Sequence, residues 1–114
     1  MDDCIFCRIA KKDIGAKIVY EDDNVIGFDD ISPQAPVHVI IISKKHIVSV
    51  DFIDESDADI MTSLMFSFKK IAEIKGIGNN GYRIVSNHKE RAGQSVFHLH
   101  FHLLGGRDMK WPPG

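Results

Sequence analysis

A chain of 114 residues, 44% hydrophobic and 26% charged, has the size and composition of one folded domain, residues 1–114, and is not a disordered polymer. Its formal charge of −2, from 14 basic and 16 acidic residues, leaves no basic footprint for nucleic acid and no polybasic patch for a membrane. The acidic start MDDCIFC does not resemble a signal peptide, no apolar run nears the roughly 20 residues of a membrane span, and two cysteines cannot staple a secreted miniprotein. A reducing interior, cytoplasmic and also nuclear, is the expected compartment.

In chain order, CIFCRIAKKD places Ile5, Phe6 and Ile9 at near-helical spacing and predicts a short helix ending near Gly15. KIVYEDD and NVIGFDD predict two strands of a hairpin turning around Asp22 to Asn24. ISPQAP interrupts with two prolines, and VHVIIIS follows as a strand apolar on both sides, hence central in its sheet. From about Ser56, Ile60, Leu64, Phe68, Ile71 and Ala72 recur at helical spacing, with Met61 and Met65 widening the core stripe. Ser56 and Asp59 resemble a capping box, Lys69, Lys70 and Lys75 gather where the helix dipole favours cations, and Gly76 and Gly78 end the helix. NNG then turns the chain into the strand YRIVSN, a polar loop, and a last segment, GQSVFHLHFHLLGG. The order β-β-β-α-β-β lacks regular alternation and predicts α+β: an antiparallel sheet of about five strands with a long helix on one face.

That last segment carries the chemistry. Alternation in a strand puts Phe97, Leu99, Phe101 and Leu103 on one face and His98, His100 and His102 on the other, with rings about 6.6 Å apart along the backbone. The apolar face suits the helix, and the histidine face must then meet water or a ligand. Three readings compete: a solvated strand face, a catalytic His₃ metal site, and direct histidine catalysis on an anion. A metal site would want carboxylate partners that the segment lacks. Imidazoles with a pKa near ~6.5 can divide the roles of neutral nucleophile and cationic anion-binder. The preceding RAGQS, with Gly93, Gln94 and Ser95, supplies a tight turn whose N–H groups could cradle a phosphate, which favours the third reading.

HLHFHLL resembles the His-X-His-X-His-X-X signature of the histidine triad (HIT) superfamily. With DISPQAPVH, KKHI, NHKERAGQSVFHLHFHLLGGR and MKWPPG it is similar to the histidine triad nucleotide-binding (HINT) branch over nearly the whole chain. The resemblance implies a homodimeric purine nucleoside phosphoramidase. Such an enzyme releases AMP from adenosine 5′-phosphoramidate and AMP–amine conjugates through a nucleotidyl-histidine, and needs no metal for catalysis. It implies His100 as nucleophile, His102 and Ser95 on the phosphate and the leaving nitrogen, and His38 in support. It implies Asp30 on the ribose hydroxyls, Phe28, Ile31, Ile5 and Phe6 around the base, and Asn87, Gly93 and Gln94 around phosphate and ribose. Trp111 would reach the partner subunit's site. A purine nucleoside monophosphate or phosphoramidate is the implied ligand, with a dinucleoside polyphosphate hydrolase or a nucleotide-binding scaffold as the alternatives.

Cys4 and Cys7 suit half of a tetrahedral zinc site. Some HIT proteins complete it with histidines matching His46 and His98. A structural zinc is therefore expected, against free thiols or a redox pair. His88 has no matched role and is expected to be exposed.

Overall fold

The computed structural model describes residues 3–114. Five strands form one antiparallel sheet in the order β1-β2-β3-β5-β4: β1 Ile18–Glu21, β2 Val25–Asp29, β3 Val37–Ser43, β4 Tyr82–Val85 and β5 His100–Gly105. β3 is central, as its two-sided apolarity requires. Val39 and Ile41 face one side, where they join Leu64, Phe68, Ile71 and Leu103 in the core under α2, Ala58–Ile74. Ile40 and Ile42 face the other, with Phe6, Ile9, Ile26 and Phe28 under α1, Ile5–Ala10. The sheet is thus a partition: the long helix closes one face, and the short helix half-covers the face that carries the histidines.

Several local expectations are corrected. α1 ends at Ala10, well before Gly15. The helical start is capped by Asp54 and Asp57, not by Ser56 and Asp59. Asp54 and Asp57 satisfy each other's backbone N–H groups in a capping box around a 3₁₀ turn, Glu55–Asp57, that leads into α2. Met65 is 66% exposed and adds nothing to the core stripe, whereas Met61 packs against it. The helix stops as expected at Gly76, whose φ of +73° a side chain would resist.

The final strand begins three residues later than alternation suggests. His98 and Leu99 precede it in a bend, and Phe97, expected on the core face, is 45% exposed. Leu99 and Leu103 are fully buried against α2's core, and Phe101 packs its ring on Phe68 at 5.3 Å. No helix among the described residues is long and apolar enough to cross a membrane.

Candidate active site

The pairing of β3 with β5 sets Ile40 opposite His102 and Ile42 opposite His100. His38, two residues before Ile40, therefore lies on the histidine face, diagonal to His102. The hydrogen bonds then give each ring a different job.

His98 Nε2–H donates to the Ser43 carbonyl at 2.7 Å, so its Nδ1 keeps the lone pair and faces the sulfurs of Cys4 (3.3 Å) and Cys7 (3.5 Å). His100 does the opposite. Its Nδ1–H donates to the His98 carbonyl at 2.7 Å, which leaves the lone pair on Nε2, and Nε2 has no hydrogen-bond partner among the described residues. His38 Nδ1 accepts from the Gln34 N–H at 3.0 Å, so the His38 proton sits on Nε2. There it meets His102 Nδ1 at 2.8 Å and Asp30 Oδ2 at 3.3 Å. His102 accepts on Nδ1 and must carry its proton on Nε2. The row thus presents a lone pair to the cysteines, a lone pair at His100 and an N–H at His102.

Burial reinforces these neutral tautomers, since a charged imidazole loses solvation there. It pushes His98 and His102 down to about 4, aided at His102 by the charges of His100 and His38 and opposed by Asp30. Burial lowers His100 and His38 as well, opposed at His100 by its bond to the His98 carbonyl and in both by the Asp30 charge. At pH 7 His100 is a neutral base with an available lone pair.

Beside the row lies a cleft of about 720 Å³ lined mainly by apolar side chains, among them Ile5, Phe6, Phe28, Ile31 and Ile40, with Asp30 supplying a carboxylate. Lys17 and Asp29 line it as well, and that volume with few polar groups suits a planar organic ring system with a polar appendage. Phe6 belongs to both places: it lines the cleft and stands edge-on to Phe28 at 5.7 Å and to His100 at 5.0 Å. Ile31 is 99% exposed and forms the rim, not a wall. Asp30 Oδ1 accepts from the Ser32 N–H, which holds the carboxylate at the cleft with lone pairs to spare.

The loop before β5 holds the remaining expected residues. Gly93 has φ +99°, and the half-buried Asn87 reaches to within 3.9 Å of where a Cβ there would stand. Gln94 is not free to contact a ligand as expected. It is 4% exposed, its amide donates to the Val48 and Val96 carbonyls, its Oε1 accepts from the Lys89 N–H, and its own N–H is bonded to the Lys89 carbonyl. It braces the loop from inside. Ser95 is exposed and opens onto a neighbouring cleft of about 430 Å³ with Asp3, Cys4, Ile5, Val96 and Phe97. Trp111 is 83% exposed and does not line the 720 Å³ cleft.

Sequence reasoning missed four supports. His88 is half-buried, not exposed: its Nδ1 meets Ser49 Oγ at 2.6 Å and its ring leans on Phe52, tying the loop to residues 49–52. Ser86 Oγ donates to the His100 carbonyl at 2.8 Å. Ser43 and Gln34 act through backbone groups, which leave no residue-type signal in a sequence.

Cys4, Cys7, His46 and His98 bring four donor atoms within 4.8 Å of one another, with Cys7 Sγ to His46 Nδ1 at 3.2 Å. Tetrahedral zinc with two thiolates and two imidazoles sets neighbouring donors about 3.6 Å apart, so the set fits that ion. The His98 bond to the Ser43 carbonyl is the outer-shell contact that fixes a ligating tautomer. Burial raises the Cys7 thiol, with Cys4 adding to the rise, so without a cation Cys7 keeps its proton. Asp30, His38 and His102 also cluster. That group is a hydrogen-bonded relay, because a metal at His38 Nε2 would move its proton onto Nδ1, against the Gln34 N–H.

Comparison with known proteins agrees with this fold. A HIT-like protein of Synechocystis sp., itself uncharacterised, is 44% identical over 113 residues, 99% of this chain and 98% of that one. The solved HIT family hydrolase of Legionella pneumophila has a TM-score of 0.95 at 46% identity, covering 98% of this chain and 100% of its own. That of Clostridium thermocellum has a TM-score of 0.93 at 49% identity, covering 96% of each. The HIT domain itself matches residues 11–109, from before β1 to beyond the histidine row, and the chain belongs to the HIT domain family.

Proposed function

We propose that this protein is a hydrolase of the HINT branch, a purine nucleoside phosphoramidase that cleaves the P–N bond of adenosine 5′-phosphoramidate and AMP–amine conjugates. The observation that carries the reading is His100: buried, neutral, its Nδ1 proton held by a carbonyl, its Nε2 lone pair unclaimed, next to an apolar cleft with a carboxylate. The two similar hydrolases support the coarser part, hydrolysis.

In this mechanism the base enters the cleft alongside Phe6 and Phe28, and Asp30 accepts from the ribose hydroxyls. The His100 Nε2 lone pair attacks the α-phosphorus and the P–N bond breaks. The leaving nitrogen takes that electron pair and a proton, donated by Ser95 Oγ–H directly or through water. The nucleotidyl imidazolium keeps its Nδ1 proton on the His98 carbonyl, which stabilises the positive charge. Water then attacks phosphorus and returns a proton to Ser95 Oγ, the P–Nε2 bond breaks with Nε2 recovering its pair, and AMP leaves. His102 offers its Nε2–H to a phosphate oxygen throughout, with its orientation set by His38. Covalent catalysis of this kind replaces one hard displacement by two easier ones. No step uses a cation, and a zinc at Cys4, Cys7, His46 and His98 would be structural.

The exposed Met65, Phe66 and Ile74 on α2 and Ile84 on the edge strand β4 support a homodimer. In it Trp111 would reach the partner's leaving-group side. Sedimentation at micromolar concentration reads the dimer directly, and a monomer there would remove that role.

The test is AMP release from adenosine 5′-phosphoramidate and from a diadenosine polyphosphate in parallel, for the native chain and His100→Ala. Turnover of the phosphoramidate should dominate and fall at least about 10⁴-fold in the variant. Preferential cleavage of the polyphosphate would replace the reading by a dinucleoside polyphosphate hydrolase. Nucleotide binding without turnover of either would make the protein a scaffold.

A further inference from the structure

Cys4-Ile5-Phe6-Cys7 interleaves two chemistries. The outer residues are the cysteines of the four-donor cluster, and the inner pair are walls of the base-sized cleft. α1, which carries three of the four, has six residues, far below the length at which a helix holds itself in water. Its position depends on what grips it. One grip is Phe6, wedged edge-on against Phe28, His98 and His100. The other is the thiol pair, set against His46 and His98 on either side of the cleft walls. A second line runs through His98. Its ring is held at one end by Ser43 and at the other by the thiols, and its carbonyl fixes the Nδ1 proton of His100.

We propose that the Cys4–Cys7–His46–His98 cluster sets the affinity of the cleft for nucleotide: with zinc bound, it locks α1 as a cleft wall and steadies the histidine that positions His100. These four act as positioning residues for the site, and the ion is more than a staple for the N-terminal segment. The inference rests on the nucleotide reading above. It has a thermodynamic signature that a stability role lacks. If zinc tightens nucleotide binding, nucleotide must tighten zinc binding by the same factor.

The experiment measures both sides. AMP affinity is determined by calorimetry for protein carrying one equivalent of zinc and for protein stripped by chelator, at a temperature where both give the same far-UV circular dichroism. Zinc affinity is determined by competition with a chromogenic chelator, with and without saturating AMP. The second measurement starts from folded, loaded protein, so it decides the matter even where the stripped form does not hold its fold. Stripping should weaken AMP on the order of ten-fold, and AMP should tighten zinc by the same factor. Cys4→Ala, at the half-exposed ligand, should weaken AMP similarly even with zinc in excess. Zinc affinity indifferent to AMP, or no zinc taken up at all, overturns the proposal while leaving the phosphoramidase reading standing. AMP binding to neither form overturns both.

Discussion

Mild acid should destabilise this protein before its carboxylates titrate, because the fold buries neutral imidazoles. His102 is the ring to follow, since it lies outside the Cys/His cluster and its pKa falls to about 4 from an ordinary 6.5. Between those values the unfolded chain binds a proton that the folded chain refuses, so stability is full above pH 6.5 and is lost as pH falls through 4. Integrating the linkage from pH 7 to pH 5 gives a loss of about 2 kcal/mol from His102 alone. Against a typical total of roughly 5–15 kcal/mol, that is a visible fraction. His38 and His100, lowered by the same burial, push in the same direction. The stabilised carboxylates do not interfere. Glu21, bonded to Lys12 and Lys44, and Asp57, bonded to Lys45, are held below their ordinary values of 4.5 and 3.8, so their contributions are lost only at lower pH.

Urea unfolding at pH 7, 6 and 5, with zinc saturating, reads this directly. With a slope of about 2 kcal/mol per molar, the His102 share moves the midpoint by roughly 1 M. His102→Asn lacks the titrating group, and its midpoint should fall less over the same interval by that amount. A native midpoint that is flat from pH 7 to pH 5, or an equal fall in native and variant, would show that His102 is not held neutral by the fold. The relay from Gln34 through His38 to His102 would then be wrong as drawn.

Two further outcomes concern the loop before β5. Gln94→Ala removes the acceptor for the Lys89 N–H and the donor to the Val48 and Val96 carbonyls, at a cost of about 1–3 kcal/mol for buried groups left unpaired. Amide exchange should quicken through residues 86–95 and KM should rise more than kcat falls, whereas unchanged exchange would deny the bracing role. Lys89 holds φ +67° and ψ 173°, a region that costs a side chain about 1–3 kcal/mol and suits only glycine. Glycine's larger unfolded-state entropy takes back roughly 0.5–1 kcal/mol, so Lys89→Gly should raise stability by about 1 kcal/mol, and a lower urea midpoint would contradict that strain.

Periodicity made the sheet legible because it acts through bulk burial. VHVIIIS sets Val37, Val39 and Ile41 on one face and Ile40 and Ile42 on the other, and that is why β3 sits in the middle. Leu99, Phe101 and Leu103 meet α2 for the same reason. The failures fall where a single local partner outweighs the pattern. Phe97 follows the period, but the strand has not begun there, so nothing forces it inward. Ser56 has the composition of a cap, yet Asp54 wins because a carboxylate binds the free N–H groups more strongly than a hydroxyl and Asp57 completes the box. Gln94 looks like a ligand contact until the carbonyls of Val48 and Val96 are found to claim it. His88 shows the converse, an unremarked residue given a task by Ser49.

The histidine row shows where such reading must stop. Three identical side chains at a spacing of two are, to the sequence, interchangeable, and alternation gives them one face and one role. Their differences come from which nitrogen each must give to the frame. Ser43, at the end of β3, takes the Nε2 proton of His98 and turns its Nδ1 to the cysteines. The bend before β5 aims the His98 carbonyl at Nδ1 of His100 and leaves Nε2 as the lone pair. His38, near the start of β3, fills Nδ1 of His102 and leaves it a proton to give. One strand, through its two ends, thus sorts the row into ligand and donor, and the bend supplies the nucleophile between them. A single register shift between β3 and β5 would turn His38 away from His102 and carry the Ser43 carbonyl out of line with His98 Nε2, undoing two of the three assignments together. The chemistry therefore depends on the pairing of two strands as much as on the histidines themselves.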